Sequence, residues 1–229
     1  MIRTLSFHVL AALALLFLCG SAAGQDSPAS IRLLAFSRVG DQLEVAVAGP
    51  DGKPFAKEPL ALPTQQLSPA RTVPSRALVF TAPTDPKTVL GKVTLPATER
   101  EFVLIFLPAA KDSAQPYQVQ AIPLSAAGFG SGDQAFVNFS GRPVGCVIDG
   151  ERLAVPPGKA TVYQAAKSGK GAGNRTIVCY AQKDGKWEDT PFFSSRLIIQ
   201  EGVRNLVLIC LSPTTGEIDF RGVADFVNP

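Results

Sequence analysis

Histidine is almost missing from this chain of 229 residues, and the one copy, His8, sits in an N-terminal stretch with the marks of an export leader. Without the side chain that ordinarily moves protons near neutral pH, the remainder is poorly equipped for hydrolytic triads and most zinc sites. Charge of one sign is also lacking: 22 basic residues stand against 19 acidic ones. That balance gives no electrostatic reason to expect nucleic acid. Beyond the leader no apolar run reaches the roughly 20 residues needed to span a bilayer, and no window carries a sustained helical stripe. Methionine and tryptophan occur once each, the latter as Trp187.

The leader itself is legible. Arg3 supplies the positive end, residues 9–18 the apolar core, and Gly20-Ser-Ala-Ala-Gly24 the small residues before a cut expected ahead of Gln25. An uncleaved anchor is the competing reading, and the apolar run is short for it. Cys19 invites a lipoprotein reading, but Leu18 before it is too large for the residue that acylation sites place there. Cleavage leaves 205 residues with 21 basic and 19 acidic side chains, since Arg3 leaves with the leader. The expected location is periplasmic or extracellular, with no transmembrane segment in the mature chain.

What is abundant is apolar strand material between turns: 46% of residues are hydrophobic, with 20 glycines and 19 prolines. Short stretches rich in Val, Ile, Leu and Phe recur at 31–37, 43–48, 77–82, 92–95 and 102–107, and again at 135–140, 145–148, 161–163, 176–181, 196–199 and 206–211. Asp51-Gly52, Asp149-Gly150 and Asp184-Gly185 follow apolar stretches and read as hairpin turns. The halves echo each other. Phe36-Ser37 answers Phe139-Ser140, the Leu60 to Pro63 string answers Leu153 to Pro156, Arg76 to Asp85 answers Arg175 to Asp184, Lys92 to Leu95 answers Arg196 to Ile199, and Phe102 to Leu107 answers Leu206 to Leu211. The expected fold is therefore all-β: two tandem immunoglobulin-like antiparallel β-sandwich domains related by internal duplication, after a signal peptide. The expected division is 1–24 leader, 25–124 first sandwich, 125–133 glycine-rich linker and 134–229 second sandwich.

The mature chain keeps Cys146, Cys179 and Cys210, an odd number for an oxidising compartment. In the repeat alignment Cys179 falls at Phe80, Cys210 at Phe106 and Cys146 near Leu43. Three inert core thiols are the leading expectation, and a Cys179 to Cys210 bridge the alternative. No histidine is present to activate a thiol nucleophile.

Motif imitations fail on chemistry. Gly128-Phe-Gly-Ser-Gly132 joins no strand to a helix, and Lys170 is followed by Gly171 where a P-loop needs Ser or Thr. Glu188 with Asp189, or Glu217 with Asp219, could form a histidine-free glycosidase pair, but both lie by turns and not in apolar surroundings. Calcium loop spacing is absent. The sequons at Asn138 and Asn174 matter only where the host glycosylates. No catalytic residue, metal site or cofactor is expected.

One segment stands apart, Lys186-Trp-Glu-Asp-Thr-Pro-Phe-Phe-Ser-Ser-Arg196, with no counterpart in the first half. Strand alternation that turns Leu197 and Ile199 inward also turns Phe193 and Ser195 inward, placing Phe192, Ser194 and Arg196 on the other face. Trp187, Phe192 and Arg196 then form an expected aromatic and cationic patch for a sugar ring or a protein partner. The plainer reading has Trp187 covering its own sandwich edge and Arg196 paired with an acid.

Residues 134 to 225 also resemble a group of uncharacterised exported bacterial proteins. The resemblance rests on the Phe139-Ser140 strand, the Ile148-Asp149-Gly150 turn, the Pro156-Pro157-Gly158 turn and the Trp187 to Arg196 stretch. It implies a β-sandwich and an envelope setting and carries over no catalytic residues. The functional expectation is a non-enzymatic exported binding or structural protein whose partner is an envelope protein or polysaccharide. A carbohydrate-binding module is the first alternative and the glycosidase the second.

Overall fold

Strands form where apolar residues alternate or run between glycine and proline turns. The computed structural model describes residues 27–124, 129–168, 171–212 and 215–227, so the expected signal peptide and Cys19 lie outside the described residues. The first half supplies β1 (Ala29–Ala35), β2 (Glu44–Ala48), β3 (Leu60–Ala61), β4 (Arg71–Val73), β5 (Ala77–Ala82), β6 (Asp85–Thr94), β7 (Glu101–Pro108) and β8 (Tyr117–Pro123). The second supplies β9 (Gln134–Asn138), β10 (Val144–Ile148), β11 (Glu151–Val155), β12 (Ala160–Tyr163), β13 (Gly173–Lys183), β14 (Lys186–Trp187), β15 (Phe193–Ile199), β16 (Val203–Leu211) and β17 (Ile218–Phe226). Among the described residues the fold is all-β apart from one short 3-10 turn at Ala165–Ser168. No helix among the described residues is long and apolar enough to cross a membrane. Asp149 and Asp184 take positive φ, as do the glycines after them, so both dipeptides close two-residue hairpins.

Four sheets result. Their orders are β3-β2-β5-β6, β4-β1-β7-β8, β12-β9-β16-β17, and β11-β10-β13 with β14 and β15 along the free edge of β13. The strand order of the second half repeats that of the first, including one parallel pair in each half, β1 with β7 and β9 with β16. Three apolar layers hold the sheets. Phe80, Phe102 and Phe106 fill the first sandwich and Phe136, Ile177 and Ile209 the second. A third layer, with Leu34, Val103 and Ile105 against Val137, Leu206 and Leu208, joins the halves face to face. The two inner sheets are thus covered on both faces, which explains why β7, β9 and β16 are nearly continuous apolar runs. In the segment expected to be a linker, Phe129 is buried in this middle layer, and the Asp133 carboxylate accepts hydrogen bonds from Gly130 N at 2.8 Å and Ala165 N at 3.0 Å.

The register corrects two repeat assignments. Ala35 pairs with Phe106 and Asn138 with Ile209, so Ile209 is the counterpart of Phe106, and Cys210 that of Leu107. A slip of one residue exchanges faces: Cys210 lies in the layer between the halves, not in a sandwich core. Val47 faces Phe80 as Cys146 faces Cys179, which makes Val47, not a residue near Leu43, the counterpart of Cys146. The expected set of three free thiols and the alternative Cys179 to Cys210 bridge are both overturned. Cys146 and Cys179 form a cross-strand disulfide with Cα atoms 4.1 Å apart, and Cys210 is free and buried. The two cysteines are directly opposite on β10 and β13, whereas Cys210 belongs to another sheet and faces another layer.

Burial pushes the Cys210 thiol up to about 12, with Arg221 opposing and Asp219 adding to the shift. Because this folded value exceeds the 9.0 of a free thiol, the stability tied to the protonated form is complete below pH 9.0 and declines as pH rises toward about 12. The slope from this group is about 1.4 kcal/mol per pH unit. Urea midpoints measured at pH 8.5 and pH 10 should fall less in Cys210→Val than in the parent. An equal fall in both would remove Cys210 as a cause.

Asn138 is fully buried. Its amide donates to Arg142 O and Val155 O, both at 2.8 Å, and its Oδ1 accepts from Ser140 N at 3.0 Å and Ser140 Oγ at 2.7 Å. The folded chain therefore does not present this sequon, while Asn174 is exposed.

Candidate functional site

The long strand β13 positions the site. One edge pairs with β10; the chain turns at Asp184-Gly185 and returns along the other edge, first as β14 and then, beyond residues 188–192, as β15. Gly145 faces Tyr180 on β13 and Ala154 on β11, and Val147 faces Arg152, so these side chains share the sheet's outer surface. The indole of Trp187 reaches over Gly145, where a Cβ would lie only 3.1 Å from Cη2 and 3.3 Å from Cζ3. A side chain there would push the indole outward by a few tenths of an ångström; the first half carries Ala46 at the matching position.

Trp187 is 51% exposed, so the ring is seated on the sheet yet keeps much of its surface in solvent. It borders a groove of about 510 Å³ whose lining includes Gly145, Arg152, Ala154, Tyr180, Glu188 and Asp189. The hairpin that carries the tryptophan is anchored from beside β10. Arg142 Nε donates to Gln182 O at 2.7 Å, and its Nη2 pairs with Glu188 Oε2 at 2.7 Å. Glu188 N also donates to Ala181 O at 3.0 Å. Three strands and one ion pair thus fix the platform.

The expected three-residue patch does not assemble. Trp187 pairs with Gln182 and Arg196 with Thr176, six residues apart along β13. At about 3.3 Å per residue that separation is roughly 20 Å. Arg196 is exposed on β15, away from the groove, whereas Phe192 is half-buried against the second sandwich core. Leu197 and Ile199 are buried as expected, and Phe193 turns to the core, where it stacks on Phe220 with ring centroids 3.7 Å apart. Of the three, Trp187 alone stands in the groove. Its neighbours Gly145, Arg152 and Tyr180 come from other strands, and only the pairing register brings them to it. The sequence does contain one signal: Tyr180 alternates with Cys179 and Ala181, which face the core.

Chemically, the groove offers a flat aromatic surface, a phenol, a guanidinium and carboxylates. Glu188 is engaged by Arg142, while Glu217 lies elsewhere on an exposed turn and the Asp219 carboxylate accepts from Phe220 N at 2.8 Å. Among the described residues, no three His, Cys, Asp or Glu side chains gather as metal ligands would.

The fit between Trp187 and Gly145 has a direct optical test. Gly145→Val should lift the indole from the sheet, shift the emission of this single tryptophan to the red and raise its quenching by acrylamide. Emission and quenching matching those of the parent would contradict the seating described here.

In comparisons with known proteins, no family model matches the chain and no curated protein matches it significantly.

Proposed function

We propose that this chain is an exported, non-enzymatic binding module of the cell envelope. In this reading, two immunoglobulin-like sandwiches descended from one by duplication hold a single binding surface, the Trp187 groove. The repeated strand order supports the duplication. The buried Cys146 to Cys179 disulfide supports an oxidising compartment, and hence export. The observation that carries the functional reading is the seating of Trp187: the indole is held over a glycine by a paired hairpin and still presents half its surface beside a groove. A large aromatic kept in water on a rigid base is the arrangement that binding surfaces use, because little side-chain freedom remains to be lost. The glycosidase alternative asks for an unpartnered acid facing a second carboxylate, and the commitment of Glu188 to Arg142 weighs against it.

A pull-down from an envelope extract tests the reading. The exported chain should retain a specific component that Trp187→Ala loses, while Arg196→Ala, roughly 20 Å away along β13, retains it. Identical capture by the parent and Trp187→Ala would move the working surface elsewhere, and turnover of a substrate by the metal-free protein would contradict the non-enzymatic assignment.

A further inference from the structure

Resting on that reading, the structure assigns a chemical class to the ligand: we infer that the Trp187 groove takes the ring of a neutral carbohydrate. The argument starts from the floor. The groove lies over β11, β10 and β13, and β10 is paired on both sides, so its backbone groups are committed to the ladder. Strand addition is closed along β10 and left only to the outer edge of β11, so on the groove floor recognition falls to side chains. Gly145 is covered by the indole, and Ala154 opposite it projects only a methyl group, leaving a low shelf beside the ring. A flat ring with one C–H face fits a shelf bounded by an aromatic plane, where apolar contact is gained without a deep hole.

The polar groups complete the fit. Tyr180 brings a hydroxyl that both donates and accepts, Arg152 brings donors only, and Asp189 brings acceptors only. Vicinal hydroxyls of a sugar need this mixture. The charges set the ligand's charge: Glu188 is matched by Arg142, which leaves Arg152 and Asp189 with opposite signs and the groove with no net charge. A phosphorylated or acidic ligand would find no excess of cations, and a polycation no excess of carboxylates.

Isothermal titration of the exported chain with cellohexaose, xylohexaose, mannohexaose and the hexamer of N-acetylglucosamine tests the inference. Saturable binding to at least one is expected, weakened by about tenfold or more in Trp187→Ala and in Gly145→Val. Arg152→Ala and Asp189→Ala, both at exposed positions, should also weaken it, with thermal midpoints close to that of the parent. Arg196→Ala should bind as the parent does. Binding that survives Trp187→Ala, or no saturable binding to any of the four, overturns the inference. If no sugar binds while an envelope protein is still captured in a Trp187-dependent way, the carbohydrate assignment falls and the binding module stands. If that capture fails as well, both fall.

Discussion

Asp225→Ala should lower the unfolding free energy by about 3–5 kcal/mol, because it removes the counter-ion of a buried charge cluster. Asp225 is 1% exposed, in the layer between the two halves. Its Oδ2 accepts from Arg204 Nε at 2.8 Å, and its Oδ1 pairs with Arg32. Arg32 lies on β1 in the first half, and Arg204 and Asp225 on β16 and β17 in the second. One carboxylate thus balances two guanidinium groups across the junction. Both arginines have further partners: Arg204 donates to Phe129 O at 3.0 Å and lies over the Phe129 ring at 4.8 Å, and Arg32 donates to Ser68 O at 3.0 Å. Those carbonyls carry no charge, so removing the carboxylate leaves two partly buried cations facing each other without a counter-ion. Asp225→Asn keeps the shape but not the charge and should cost less than Asp225→Ala. Urea unfolding followed by far-ultraviolet circular dichroism would measure both, and a loss below about 1 kcal/mol in Asp225→Ala would place the triad among pairs of surface strength.

Removing the disulfide should come next. The Cys146→Ala/Cys179→Ala double variant is expected to lose about 3–4 kcal/mol, the loop-closure value for a separation of 33 residues. Both cysteines are almost without solvent contact, so mild reductant should leave the bond intact in the native protein and break it once urea opens the second half. Thiol counting provides the check. The chain beginning at Gln25 should show no reactive thiol when native, one when denatured and three when denatured and reduced. Three thiols on denaturation alone would show that the bond does not form. The first half manages without a bridge because Val47 and Phe80 occupy the equivalent pair, and Phe80 packs edge to face on Phe106 with centroids 4.9 Å apart.

Strand content was legible because apolar runs between turn residues are a local signal. The same signal hid β17. Its Ile218 and Phe220 alternate with Asp219 and Arg221, but Asp225 turns inward to meet the arginines, so the polar positions do not mark a solvent face. In β8 the alternation is present, Tyr117, Val119 and Ala121 against Gln118 and Gln120, but it is weak because no bounding apolar run marks the strand. The unbroken apolar runs Phe102 to Leu107 and Leu206 to Leu211 hint that the inner sheets are covered twice, yet a run of six apolar residues does not say what covers either face. Register was the least legible property. The Phe102 string aligns with the Leu206 string by composition, while pairing shifts it by one, and that shift moved Cys210 out of a sandwich core and with it the expected bridge. For the site, Trp187 could be singled out as a lone large aromatic in a segment without a counterpart. Arg196 could not be separated from it, because the interruption at residues 188–192 sets the distance along β13 and no local pattern encodes that distance.

The most direct test of the account follows the indole N–H resonance of Trp187 in the ¹⁵N-labelled chain beginning at Gln25, where the single tryptophan gives a single such signal. During titration with a ligand that the protein retains, this resonance should move and saturate together with the amides of Gly145, Tyr180 and Asp189, while those of β1 to β8 stay in place. An indole signal that remains fixed while resonances elsewhere shift to saturation would contradict the Trp187 groove as the working surface.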